Sequence, residues 1–451
     1  MSRSRHACLV SLLLAAGGVP ACSAPAPEPP RPAIASPGKR LGFSVLEDYD
    51  KGDDLQRVEA DFRIIRDLGV HTWRGSFGWD DYEPRPGVYD FDWLIRFVRA
   101  AAKSGIELRP YVGYTPEWAA ARGGGADHQA WNDPPRDPAR WEAFVAHLAA
   151  ALRDEPNVRS YEIYNEENAP LWWEGTPAQY AATLGRASAA IRRADPDAQV
   201  VIGGFTFPDT RWLEAVCETA GQAHAFDIAA FHAYPETWTP DSVVVENYLD
   251  RGYHHDYLGT LAGGCAAQPL WINEAGYATT PGRTERQQAS WWARAIATFG
   301  ADSAVQHIGI YEIRDQRRNT PVIGNEPNYY LGLLREDGRK KLAYNTVRLM
   351  VRLLGGAPFV VRDAETKVEA EPPDRDIYHH LFDRADGTQV LVIWTRDAPA
   401  VARVDLPRRG ARATSYTLAG TAGAYPLVRG RRLERLRLEP GDVRILEITR
   451  E

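Results

Sequence analysis

Cysteine is scarce in this chain, four in 451 residues, at positions 8, 22, 217 and 265. Histidine is sparse too, with 11 residues scattered so that none falls into a metal-ligand spacing. No metal and no organic cofactor is therefore implied. There is no internal repeat and, outside residues 23–38, no low-complexity segment. Charge of one sign is also lacking. The formal net charge of −7 is mild and argues against nucleic acid as the main partner. The apolar run Ala7 to Ala16 is too short to span a bilayer as a mature helix.

That run follows Arg3 and Arg5 and so reads as a targeting segment. It ends in Val19-Pro20-Ala21-Cys22, a lipoprotein-type cleavage site in which Cys22 becomes the lipidated first residue. An ordinary signal peptide cut nearby is the alternative. Residues 1–22 are thus expected to be a signal, and 23–38, rich in Pro and Ala, an extended tether. Either way the chain is expected to be exported: a periplasmic or outer-membrane lipoprotein, or else secreted. The membrane enters only through a lipid anchor. Cys8 is lost with the signal, leaving Cys217 and Cys265. An oxidising compartment permits these to pair, and two free buried thiols are the alternative.

What the chain has is a globular composition, 44% apolar and 25% charged, with 14 Trp and 20 Tyr. Aromatic platforms suit the flat C–H faces of sugar rings, although most such rings pack in cores. From Leu41 onward, short apolar runs alternate with helical periodicity. Strand-like stretches begin at Leu41, Val70, Ile106, Tyr161, Gln199, Asp227, Pro269 and Val305. Helical patterns fall between them, with Thr176-Pro177 as a cap and first turn and Gly69 and Gly105 as stops. Eight such units in about 310 residues predict a (β/α)₈ barrel over 39–355, a fold that typically takes about 250 residues. After Gly356 the pattern becomes short alternating runs with Asp386-Gly387 and Pro440-Gly441-Asp442 turns. Residues 356–451 are expected to form an antiparallel β-sandwich. Its Arg429-Gly430-Arg431-Arg432 stretch reads as a solvated edge that blocks strand pairing.

Two of the strand-like stretches end alike, Tyr161-Glu162-Ile163-Tyr164-Asn165-Glu166 and Pro269-Leu270-Trp271-Ile272-Asn273-Glu274. In a barrel, residues at the C-terminal ends of strands converge on one face. Glu166 and Glu274 are 108 residues apart, three units of 36, which suits strands four and seven. Two such carboxylates are what retaining glycoside hydrolysis needs. One protonates the leaving oxygen and the other attacks the anomeric carbon, the two carboxyl groups standing about 5–5.5 Å apart. Their proximity raises the pKa of one, which can then donate a proton at neutral pH.

With these residues in view the sequence resembles the clan A glycoside hydrolases, family 39 in particular. That family pairs Asn-Glu at the end of strand four with Glu at the end of strand seven. The matches run in order through Gly69-Val70-His71-Thr72-Trp73-Arg74, Trp79 to Pro84, Tyr114 to Trp118, Phe231-His232-Ala233-Tyr234, Tyr311 to Asp315 and Leu331 to Leu334. The layout also resembles family 39 enzymes of the Psl type, which cut biofilm exopolysaccharide. The resemblance implies Glu166 as acid/base, Glu274 as nucleophile and Asn165 as the residue holding the sugar 2-hydroxyl. Arg74 would keep Glu274 ionised, Tyr234 would donate to Glu274, and His232 would orient the acid/base or touch a hydroxyl. Trp118, Trp172 and Trp173 are candidate sugar platforms, and Glu162 a partner for an Arg inside the barrel. Two positions depart from the pattern. Glu167 stands where Pro is frequent, and Tyr311 where clan A commonly has Trp as a floor under the sugar.

The expected function is hydrolysis of O-glycosidic bonds in an extracellular or envelope polysaccharide or oligosaccharide, by a monomer. An exo-acting β-xylosidase or a family 5-like endoglucanase is the alternative among enzymes. A glycan-binding lipoprotein without catalysis is the alternative of another class.

Overall fold

The structure is a computed structural model that describes residues 38–122, 129–219, 224–249, 252–265, 269–318 and 324–450. The expected signal, Cys22 and all of the tether but Gly38 lie outside the described residues. Gly38–Glu451 forms one compact unit.

Eight parallel strands make the barrel: β1 (Gly42–Leu46), β2 (Thr72–Gly78), β3 (Glu107–Gly113), β4 (Ser160–Ile163), β5 (Gln199–Ile202), β6 (Ala229–Ala233), β7 (Leu270–Ala275) and β8 (Val305–Tyr311). They pair in the order β5-β4-β3-β2-β1-β8-β7-β6, and the Val201–Ile228 and Phe205–Phe231 bridges close the ring. The helices between them are fixed by local chemistry. Asp54 caps Leu55–Asp67 by accepting from the Gln56 amide. Thr176 and Gln179 form a capping box on Pro177–Ala194, and Thr284 and Gln287 another on Glu285–Ala301. The side chains these helices turn inward, such as Phe62, Phe97, Phe144, Leu184 and Trp292, are buried.

Inside the barrel the packing is partly ionic. The Arg109 guanidinium lies 4.2 Å from the centre of the Trp271 ring and bonds His307 Nδ1 at 3.1 Å. His307 Nε2 meets Ser44 Oγ at 2.9 Å. Higher up, Arg74 forks onto Glu162. Buried charge of this kind persists only when paired.

Residues beyond the barrel add β9 (Phe359–Val361), β10 (Lys367–Glu371), β11 (Tyr378–Arg384), β12 (Gln389–Trp394), β13 (Ala400–Asp405), β14 (Arg412–Tyr416), β15 (Ala422–Tyr425), β16 (Arg432–Leu438) and β17 (Val443–Thr449). They form an antiparallel sheet β15-β14-β17-β12-β11-β9 facing a smaller sheet β10-β13-β16. Leu391, Val404, Leu436 and Leu446 fill the space between the sheets. The large sheet turns its other face, including Val392, Trp394 and Ile445, into the same core as the barrel helices. Trp394 Nε1 donates to Glu246, so a hydrogen bond also ties the sandwich to the barrel. Arg432 lies on β16, the edge strand of the small sheet, and forks onto Asp405.

Candidate active site

The chain departs from its expected course at the end of strand four. The strand stops at Ile163, and Tyr164 and Glu166 take left-handed backbone conformations with φ of 60° and 54°. Each such residue costs about 1–2 kcal/mol when it is not glycine. The Glu166 amide donates to the Gly204 carbonyl at 3.0 Å, which holds this turn against the next strand. Glu166 thereby faces the cavity while Glu167 turns away from it. Tyr114, also on the cavity wall, is left-handed as well (φ 63°). Three of the six non-glycine residues with positive φ among the described residues thus stand at this site.

Glu274 is set by a bulge. Residues 273 and 274 of β7 together oppose Gly309 between the pairs Ile272–Ile308 and Ala275–Ile310. On the other side His232 pairs directly with Glu274. A bulge re-aims one side chain without ending the strand.

The result is a tight polar cluster. A carboxylate oxygen of Glu166, one of Glu274 and a ring nitrogen of His232 lie within 4.8 Å of one another. Arg74, only 2% exposed, donates through Nη1 to Glu274 at 2.5 Å. It also forks onto Glu162 at 2.7 and 2.8 Å and reaches Asn165 Oδ1 at 2.9 Å. The Tyr234 hydroxyl donates to Glu274 at 2.7 Å. His232 Nδ1 faces Glu166 at 2.7 Å and Glu274 at 3.3 Å.

Burial sets the charge states. It lowers His232 to about 4, so the ring is neutral at ordinary pH. It raises Glu166 to about 8, against the opposing pull of Arg74 and a hydrogen bond from the Trp172 side chain. Burial raises Glu274 as well, opposed by His232, Arg74 and the Tyr234 hydrogen bond. Glu274 has the guanidinium in direct contact and Glu166 does not, so Glu274 is the one held as the anion. One carboxyl is kept as an acid and its neighbour as a carboxylate.

Above the cluster lies a cavity of about 800 Å³. Asn165, Glu166, Trp172, Tyr234, Glu274 and Tyr311 line it. Arg74 and His232 sit behind this lining and act on the two glutamates. Trp118 does not line the cavity. It packs edge-on against Trp79, and its indole donates to the Glu83 carbonyl. Trp173 is buried against Tyr164 and Tyr180. Glu167 is fully buried under the site, and burial, with Glu162 and Glu166 nearby, pushes its carboxyl well above the usual range. A Cβ on Gly203 would stand 1.6 Å from the Glu167 carboxyl, so that glycine is what admits it. Cys217 and Cys265, with Cα atoms 5.4 Å apart, are joined as a disulfide away from the cavity. Asp48, Asp50, Phe207, Trp238 and Gln316 also line the cavity, and no sequence motif marks them. They sit in loops where no spacing rule applies, and only their place after a barrel strand marks them.

The chain is thus a closed parallel barrel, with Glu166 just past strand four and Glu274 near the C-terminal end of strand seven, followed by a β-sandwich. Known proteins agree at the level of fold. The Beta-galactosidase family profile (glycosyl hydrolase 42) matches residues 49–123. A family 39 glycoside hydrolase from Bacteroides cellulosilyticus WH2 aligns with 91% of this chain and 81% of its own, with a TM-score of 0.69 and 21% identity. A family 39 β-xylosidase from Caulobacter crescentus aligns over 91% and 97%, with a TM-score of 0.61 and 16% identity. In sequence, a putative mannan endo-1,4-beta-mannosidase 5 of Oryza sativa subsp. japonica is 24% identical over 54% of this chain. The chain spans 58% of that relative, and 30% of a Bifidobacterium bifidum beta-galactosidase that it also matches.

Proposed function

We propose that this chain is a retaining glycoside hydrolase acting on an extracellular or envelope polysaccharide. The observation that carries the reading is the Glu166–Glu274 pair, within 4.8 Å and open to a cavity large enough for sugar on both sides. That separation leaves no room for a water between carboxylate and anomeric carbon, as inversion requires.

In the proposed reaction a Glu274 oxygen forms a bond to the anomeric carbon as the bond to the leaving oxygen breaks. Glu166 gives its proton to that oxygen. A water then gives its proton to Glu166 while its oxygen displaces Glu274 from the same carbon, restoring both groups. Arg74 and Tyr234 hold the attacking carboxylate in one orientation and keep it ionised until it reacts. Asn165, fixed through Oδ1 by Arg74, is left with its amide NH₂ for the sugar 2-hydroxyl. Tyr311 serves beneath the sugar in place of Trp. The glycan-binding alternative is disfavoured because a site that only binds has no use for one acid and one anion held this close.

The chain is proposed to work outside the cytoplasm, and the Cys217–Cys265 disulfide supports that placement. The test is a screen of neutral and acidic polysaccharides and of p-nitrophenyl glycosides. Product length is read by mass and the anomer first released by NMR. Release of the retained anomer supports the reading. No reducing ends from any glycan, with one of them still bound, would hand the site to the binding alternative.

A further inference from the structure

The walls of the cavity differ in kind. Five large hydrophobic side chains are exposed among the described residues, and three of them, Leu171 (45%), Phe207 (41%) and Trp238 (39%), line this one cavity. They stand in the loops after β4, β5 and β6, which are consecutive around the ring. Water-facing apolar groups are ordinary when scattered, but a convergent set over a reactive centre marks a contact surface. Trp238 is braced there, its indole donating to Asn325 at 2.8 Å and its ring meeting Tyr234 at 4.6 Å. The facing wall, from strand β3 and the loops after β1, β3 and β8, offers Asp48, Asp50, Tyr111, Tyr114 and Gln316. Among the described lining residues there are four carboxylates and no Lys or Arg.

From this asymmetry we infer that the leaving-group half of the cleft is an apolar subsite. It takes an uncharged ring by its C–H face and rejects an anionic one. The assignment of sides rests on the proposed reaction: Glu166 protonates the leaving oxygen, so the departing ring lies on Glu166's side. Leu171 and Trp172 belong to the Glu166 loop itself, and Phe207 to the next. The retained sugar then faces the polar wall, where carboxylates and phenols can bond its hydroxyls. An acidic ring on the leaving side would lose its hydration against Leu171 and Phe207 and find no cation in return. The substrate class narrows accordingly to glycans whose leaving residue is neutral.

The full chain tests this with methyl, cyclohexylmethyl and 4-carboxycyclohexylmethyl β-glycosides of glucose, xylose, mannose and galactose. Their leaving alcohols match closely in acidity, so binding and not leaving ability separates them. Affinity is read by tryptophan fluorescence and turnover by released sugar. With at least one glycone, the cyclohexylmethyl compound is expected to bind at least about tenfold tighter than the methyl one. The carboxylated ring should lose at least about tenfold against the uncharged ring. The Leu171→Ser/Phe207→Ser double variant, altered only at exposed positions, should bring the cyclohexylmethyl-to-methyl ratio to about one. Equal affinities, undetectable binding of every cyclohexylmethyl compound, or a preference that survives the double variant overturns the inference. Preference without hydrolysis keeps the apolar wall and removes the glycosidase reading, while hydrolysis without preference does the reverse.

Discussion

Gly309 and Asn273 stand so close that a Cβ on the glycine would lie 1.9 Å from the Asn273 carbonyl oxygen. The bulge that aims Glu274 exists because residue 309, on the neighbouring strand, has no side chain. Gly309→Ala must push Asn273 back and turn Glu274 with it. The expected result is a folded protein with kcat reduced by about 10²-fold, the scale of an ångström of misplacement. Stability should fall by about 1–3 kcal/mol from overpacking. Kinetics on an activated glycoside, together with urea melts, check both.

The two glutamates should separate in their pH behaviour. Glu166 must be protonated to act, so kcat/KM is expected to fall as pH rises through about 8. Glu274 must be ionised, and its pKa is raised, so the acid limb should lie above the ordinary glutamate value of 4.5. Glu166→Gln should lose about 10²–10⁴-fold on poor leaving groups and lose the basic limb. Glu274→Gln should lose at least about 10⁴-fold at every pH. A basic limb that persists in Glu166→Gln would mean another group is the acid.

Arg74 is the charge on which the site is balanced, since Glu162, Glu274 and Asn165 all bond to it. Arg74→Met leaves buried Glu162 without its partner and should cost about 3–5 kcal/mol of stability. Arg74→Lys keeps the charge but not the fork. It should restore part of the stability while kcat stays low and the acid limb moves upward. Thermal melts and pH profiles of the two variants separate the structural role from the catalytic one.

The Cys217–Cys265 bridge closes a segment with a sequence separation of 48. Loop-closure entropy over that length is worth about 4 kcal/mol. The Cys217→Ser/Cys265→Ser variant should therefore unfold at clearly lower denaturant, and the wild type should lose the same amount on reduction. The bridge lies away from the two glutamates, so kcat under folding conditions should be unchanged.

How much could be read beforehand differed from element to element. The helices with Thr176-Pro177 and Thr284 at their starts were legible because their caps and periodicity lie within a few neighbouring residues. Strands β9, β10 and β15 are not legible in the sequence. β9 is only three residues long, and β10 and β15 are largely exposed, so they carry little apolar signal and form only because β11, β13 and β14 offer hydrogen-bonding edges. The expected placement of Trp118 toward sugar failed for a similar reason. A loop aromatic goes where Trp79 and Glu83 hold it, and sequence does not say which loops meet.

The sequence by itself determined the barrel, the sandwich after it and the place of Glu166 and Glu274 at the C-terminal ends of strands four and seven. Each of these depends on local periodicity or on a residue's place at a strand end, which chain connectivity carries. Only the tertiary structure decided which of the two glutamates meets Arg74, that Glu167 is sealed beneath the site, and that one wall of the cleft is apolar. Those outcomes depend on burial and on charges brought together from distant segments, Arg74 to Glu274 above all, and such distances form only when the ring closes.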